Sequence, residues 1–240
     1  MNEPKMAMPR DSLSEKIYER LRSGIMTGVY EPGERINISQ IAKTFETSVT
    51  PVREAMMQLV REGALELRPG HQLRVSDISI DRYIEVRTVR IPLERLAAEK
   101  AAQNITQSEI LELQYQARRC LDAESGQHWK EALAANQEFH FAVYRASRLP
   151  ILVRVIENLW LLAGPFINLV YRGQRRSYHS AQPHERILHA LRTGNAEEAG
   201  QAVEQDILHG SAAIVEQIRD GLVEKAPEPK VARRSRRLAE

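Results

Sequence analysis

Ser48, Val49, Thr50, Pro51 and Arg53 stand together at what the pattern marks as the start of a short helix. The free backbone N–H groups of a helix start can hold a phosphate. Ser48 and Thr50 suit hydrogen bonds to phosphates or base edges. The Arg53 guanidinium can pair with a guanine through two parallel bonds, worth about 1–3 kcal/mol of discrimination. Further along, Arg68, His71, Gln72 and Arg74 surround the turn at Pro69-Gly70. They could enter a minor groove or touch phosphates.

A second constellation lies in the other half of the chain. Asn136 and His140 are four apart, so they share one face of one helix. His184 is expected to open a later helix, and Asp206 lies midway along the last one. Helices that each aim one N or O donor inward can hold a divalent ion. Imidazole plus carboxylate suits Zn, Ni, Mn or Fe. Taken alone, histidines of this kind are also ordinary core or surface groups, and the spacing leaves both readings open.

Elements that would position these residues can be read from the pattern. Ser12-Leu-Ser-Glu15 is a capping-box pattern, followed by Leu13, Ile17, Leu21 and Ile25 at helical spacing. Asn37-Ile-Ser-Gln40 opens a second helix with Ile38, Ile41, Ala42 and Phe45 on its apolar side. Ser48 is placed to cap a third, whose stripe is Val52, Ala55, Met56, Leu59 and Val60 and whose stop is Gly63. Pro51 falls in its first turn, where a missing N–H is harmless. Two alternating runs, Leu65-Glu-Leu-Arg68 and Leu73-Arg-Val75, then form a hairpin. Helix, tight turn, helix and hairpin make a winged helix-turn-helix, whose second helix enters the DNA major groove.

From Ile80 onward the pattern is helical throughout, with Thr106-Gln-Ser-Glu109 as another capping box. An antiparallel bundle of about six helices is the expected fold there. The chain therefore reads as mainly α. Its expected parts are a flexible N-terminus (1–10), a winged helix-turn-helix (11–76), a linker (77–80), a helical bundle (81–222) and a disordered basic tail (223–240).

Bulk composition adds limits. The formal net charge is +2, but the segment from Lys225 to Glu240 holds six basic and two acidic residues, so the remainder of the chain sums to −2. Bulk charge therefore gives no support for nucleic acid, and any such case rests on local placement. The tail could add weak phosphate affinity. Cys120 is the one cysteine, which excludes an internal disulfide and points to a reducing, cytoplasmic setting. No signal-peptide pattern is read at the start. The apolar run from Leu159 to Val170 contains Gly164, Pro165 and Asn168 and is expected to be a buried helix, not a membrane span.

The segments Glu31-Pro-Gly-Glu-Arg-Ile36, Ile41-Ala42, Ser48-Val-Thr-Pro-Val-Arg-Glu-Ala55 and Glu62-Gly63 resemble the winged helix of the GntR family of bacterial transcription regulators, over residues 13–75. Many relatives carry an arginine where this chain has Val49, and some carry one where it has Ser39. Arg53 is thereby left with a larger share of base reading. A second resemblance runs over residues 80–221. Arg90-Ile-Pro-Leu-Glu94, Asn136-Gln-Glu-Phe-His140, His184-Glu-Arg-Ile-Leu188 and Gly194-Asn-Ala-Glu-Glu-Ala199 are similar to the FCD ligand-binding domain of the FadR branch. That resemblance implies a metal set carried by Asn136, His140, His184 and Asp206. Asp206 stands where the family has a histidine, and His209 is a candidate substitute one turn on. It also implies a small carboxylate effector, with Arg90 as the arginine that could pair with it.

These features together imply a homodimeric regulator, a repressor in the first instance, on a palindromic operator in double-stranded DNA. Two alternatives belong to other classes. One is a metal-dependent enzyme, although no HExxH or similar pattern occurs and no general base stands beside the cluster. The other is a scaffold with a winged helix that docks protein.

Overall fold

The computed structural model describes residues 10–219 except 71, 78 and 173–178. The N-terminal unit comprises α1 (Arg10–Met26), α2 (Ile38–Thr44), α3 (Val49–Arg61), β1 (Leu65–Arg68) and β2 (Gln72–Val75). The strands pair antiparallel with Leu65 opposite Val75 and Arg68 opposite Gln72. Ile17, Leu21, Ile25, Val52, Met56, Leu59, Leu65, Leu73 and Val75 are buried together, as the helical and alternating spacings require. The first element differs from the expected one. Helix α1 already includes Arg10, so Ser12 lies inside it and is not its cap.

Six helices follow: α4 (Ile80–Asn104), α5 (Gln107–Ser125), α6 (Trp129–Ala146), α7 (Pro150–Arg172), α8 (Ala181–Arg192) and α9 (Ala196–Arg219). Both halves of the expected capping box at the start of α5 are present. Glu109 N–H donates to Thr106 Oγ1 at 3.3 Å, and Thr106 N–H donates to the Glu109 carboxylate at 2.9 Å. Helix α8 begins one turn before His184, with Ser180 at the cap position. Pro183 sits in the first turn, where no intrahelical N–H is needed.

The two units share a continuous apolar core, which passes from Ile17, Leu21 and Met56 to Phe139, Trp160 and Leu161. Helix α7 supplies the contact with α1. Gly164 lets α1 approach so closely that a Cβ there would lie 2.8 Å from Met26 Cα. A second tie is polar. Gly63 ends α3 with φ +77, and its carbonyl accepts from Ser76 Oγ (2.7 Å) and from Arg82 Nη2 in the first turn of α4 (2.8 Å). By length and composition α7 could cross a membrane, with mean hydropathy 1.4 over Pro150–Asn168. Instead it buries Ile156, Trp160, Leu161, Ala163 and Phe166 in the protein.

Candidate functional site

The first candidate surface is the start of α3. Ser48 has the extended backbone of a cap residue, but its hydroxyl makes no cap hydrogen bond. Ser48, Val49, Thr50 and Arg53 are all exposed. Val49, Thr50, Arg53, Met57 and Arg61 line one shallow groove along the outer face of α3. Pro51 is buried and shapes the first turn from within. Arg61 was not singled out from the sequence. Its place on this face follows from its spacing, eight residues after Arg53.

The wing residues are more committed. Arg74 donates through Nη1 to the Gly33 carbonyl (2.8 Å) and through Nη2 to Gln72 Oε1 (3.4 Å). It therefore braces the base of the wing. Arg68 is held by Glu66 (2.6 Å) and by Asp77. Two carboxylates around one guanidinium offset its attraction for phosphate. The call on His71 lies outside the described residues.

The second candidate site is inside the bundle. Asn136 and His140 come from α6, His184 from α8 and Asp206 from α9, and each is at most 6% exposed. His140, His184 and Asp206 each present one ligand atom, and these atoms lie within 4.8 Å of one another. His140 Nε2 is 3.0 Å from Asp206 Oδ2. His184 Nε2 donates to Asn136 Oδ1 at 3.1 Å, while its Nδ1 is buried without a hydrogen-bond partner among the described residues. His209, the candidate substitute, is exposed and outside the cluster; Asp206 itself takes the position.

Electrostatics around the cluster favour a proton or a cation between its members. Burial is the first reason that His184 is lowered to about 3, and the neighbouring His140 is the second; Asp206 acts the other way. His184 is thus neutral near pH 7, the form that ligates a metal. Tyr144 donates its proton to Glu94, and burial followed by the Glu94 charge holds that phenol well above its usual range. The Tyr144 oxygen can then only accept from His140 Nδ1, 3.3 Å away. His140 then turns its Nε2 toward the Asp206 carboxylate. That contact is favourable only with a proton or a metal ion between the two groups. The 3.0 Å separation is that of an ordinary hydrogen bond and is also compatible with two donors to one ion. Tyr144 would then be the outer partner that orients a metal-bound histidine.

Arg90 lies beside this cluster but is not free. Its Nε and Nη2 donate to Glu94 at 2.5 and 3.3 Å, and its guanidinium lies 4.6 Å from the Trp160 ring centre. Glu94 is fully buried and also accepts from Trp160 Nε1 at 2.9 Å. The i,i+4 pairing of Arg90 with Glu94 was visible in sequence; its complete burial was not. A small cavity of about 50 Å³, open at its mouth, runs from Asn136, His140 and Asp206 past Arg90. Its remaining walls are mainly Tyr83, Trp160, Ile167, Ile207 and Ile214. These apolar residues could not be assigned to a site from the sequence, because their helical spacing is the same as that of a core stripe.

Comparison with known proteins agrees with this architecture. The family described as "Bacterial regulatory proteins, gntR family" matches residues 13–75, and the FCD domain matches residues 85–209. The chain is 30% identical over 166 residues to the HTH-type transcriptional regulator McbR of Escherichia coli (strain K12), covering 69% of this chain and 75% of McbR. It is 29% identical over 207 residues to the uncharacterized HTH-type transcriptional regulator YdhC of Bacillus subtilis (strain 168), covering 86% and 92%. A probable D-xylose utilization operon transcriptional repressor of Paenarthrobacter nicotinovorans is 28% identical over 202 residues, covering 82% and 86%. The solved structure of E. coli McbR/YncC superposes with a TM-score of 0.79 at 26% identity, covering 86% of this chain and 98% of that one. These relatives are transcription regulators, which disfavours the enzyme alternative.

Proposed function

The chain belongs to the GntR family of bacterial regulatory proteins and carries an FCD domain, and on that footing we propose that it is an effector-controlled repressor of the FadR branch, acting in the cytoplasm as a homodimer on a palindromic operator. Its two recognition helices meet successive major grooves about one helical turn apart. Ser48, Val49, Thr50 and Arg53 meet the DNA, with Arg53 reading a base. Arg61 lies on the same face, and Arg68, His71, Gln72 and Arg74 belong to the wing. The repressor assignment is drawn from relatives such as the D-xylose operon protein. Exposed apolar pairs at helical spacing, Leu111 with Tyr115 and Ile151 with Val155, offer surface for the second copy.

The effector is a small organic acid bound in the FCD cavity. His140, His184 and Asp206 hold a divalent metal, with Asn136 orienting His184. When bound, that ion supplies a positive centre for the acid's carboxylate. This chain's residues place the acid against Trp160 and Ile167 of α7. The same helix carries Gly164 against α1, so a ligand that shifts α7 also shifts the winged helix. The observation that carries this reading is the convergence of the buried His140, His184 and Asp206 ligand atoms to within 4.8 Å, beside a cavity that His140 and Asp206 line.

Elemental analysis of the purified native protein tests the metal. The expected result is close to one transition-metal ion per chain in the wild type and loss of that ion in His184→Ala. Metal-free wild type, folded and binding DNA with full effector response, would remove the metal from the mechanism.

A further inference from the structure

Two arginines stand on neighbouring turns of α4 beside the cavity, and they differ in what balances them. Arg90 is buried and paired with Glu94, which also accepts from Tyr144 and Trp160. Arg87 is partly buried and has no such partner. Among the described residues its guanidinium makes one hydrogen bond, from Nη1 to Ser211 Oγ at 3.4 Å, and no ion pair, while its Nε is buried without a partner. An unmatched charge and an unpaired buried donor both favour a ligand that brings acceptor oxygens.

Arg87 does not itself line the cavity; Ser211 does, and so does Tyr83. The Ser211 and Tyr83 hydroxyls are 2.7 Å apart. Burial holds the Tyr83 phenol above its usual range, so it keeps its proton. Two hydroxyl protons thus share one O–H···O bond. Whichever group donates, the other's proton is left over, and no acceptor for it stands within reach among the described residues. The pair therefore offers one O–H donor at the cavity wall, with the Arg87 charge behind it.

This locus is distinct from the His140, His184 and Asp206 cluster. Ser211 lies five residues beyond Asp206, about 7.5 Å along α9. The apolar side chains of Ile207, Ile214, Trp160 and Ile167 wall the same cavity and suit methylene groups. The locus also lies toward the DNA-binding unit. Arg82, five residues before Arg87, donates to the Gly63 carbonyl, and Tyr83 packs on Phe166 of α7 with ring centres 4.8 Å apart.

We propose that Arg87, Ser211 and Tyr83 form a second anion subsite of the cavity, and that the effector is a dicarboxylic acid whose distal carboxylate accepts from the free hydroxyl beside the Arg87 guanidinium. This rests on the acid-effector reading given above and narrows it to acids with two anionic ends joined by a short methylene chain.

Calorimetric titration of the full-length protein, with its native metal content, tests the subsite. The probes are glutarate and adipate, each beside the monoacid of the same carbon number, pentanoate and hexanoate. The better diacid is expected to bind roughly tenfold or more tightly than its monoacid, the worth of one added charge-assisted contact. In Arg87→Gln that preference should fall to about threefold or less, with monoacid affinity unchanged. Ser211→Ala removes a single hydroxyl and gives a second variant should Arg87→Gln fail to fold; the preference should fall there too. Monoacids binding as tightly as diacids in the wild type would overturn the second subsite and leave an acid effector in place. A diacid preference undiminished in both variants would also overturn it. Absence of binding by all four acids would overturn the subsite and the acid-effector reading together.

Discussion

In the proposed complex with DNA, Arg53 takes the main base-reading role, since few neighbours offer a free guanidinium or a base-reading group. Val49 has no hydrogen-bonding side chain, Pro51 is buried, and Arg68 and Arg74 are engaged within the wing. Arg53→Ala is expected to weaken operator binding about 10- to 100-fold, the equivalent of one lost bidentate base contact. Its circular dichroism and thermal transition should match the wild type, since the side chain is exposed. Unchanged affinity in a gel-shift titration would remove α3 as the reading helix. At the His140, His184 and Asp206 cluster, the sequence carried much of the pattern. Relative to the set that the resemblance implies, Asn136 is a tolerated variant and Asp206 is the departure, a carboxylate on α9 where a histidine is expected. The contact of Asn136 with His184, across 48 residues, could not be read from local spacing. His209 looked equivalent to Asp206 because one helical turn places both near the same face; only packing distinguished the buried residue from the exposed one.

At the scale of elements, helix caps were the most legible feature, since they depend on neighbours in sequence. The start of α5 shows this most fully. Arg148 adds two 2.8 Å bonds to the Glu109 carboxylate of the capping box, and that pairing first, then the Thr106 bonds, lowers Glu109 to about 2, against partial burial. A carboxylate depressed on folding stabilises fully above its unfolded value of 4.5 and loses the contribution as pH falls toward 2. Glu109→Gln is therefore expected to lower stability by about 1 kcal/mol at pH 6, a cap-sized effect at a partly exposed site. In urea denaturation the gap to wild type should narrow steadily from pH 5 to about a quarter of its size by pH 2.5. A gap constant across that range would mean that the charge of Glu109 contributes nothing. Helix starts governed by tertiary packing were less legible. Helix α8 begins before His184, the residue expected to open it, and α1 runs back beyond Ser12. The contact between α7 and α1 was invisible in sequence, because Gly164 beside Pro165 reads as a helix weakness and not as a place where two helices meet. Gly164→Ala sets a methyl 2.8 Å from Met26 Cα. It is expected to cost about 1–3 kcal/mol of stability by overpacking and to weaken the effector's influence on DNA affinity more than effector binding itself. Thermal melting, calorimetry and operator titration together check this; full retention of the effector response would place the coupling elsewhere.

For the whole molecule, one continuous core joins the DNA-binding unit to the bundle, and α7 both lines the cavity and packs on α1. A ligand can shift DNA affinity only by its differential binding to two arrangements of this body, typically by about 1–3 kcal/mol. The direct measurement is fluorescence anisotropy of a DNA fragment selected in vitro for binding by the chain. It would be titrated with wild type and with His184→Ala, each with and without saturating adipate. The predicted result is nanomolar-to-micromolar DNA binding by both proteins, with roughly a 5- to 150-fold change on adding the acid in the wild type alone. An acid-dependent change of equal size in both proteins, or none in the wild type, would contradict the assignment of the His140, His184 and Asp206 cavity as the input that controls DNA binding.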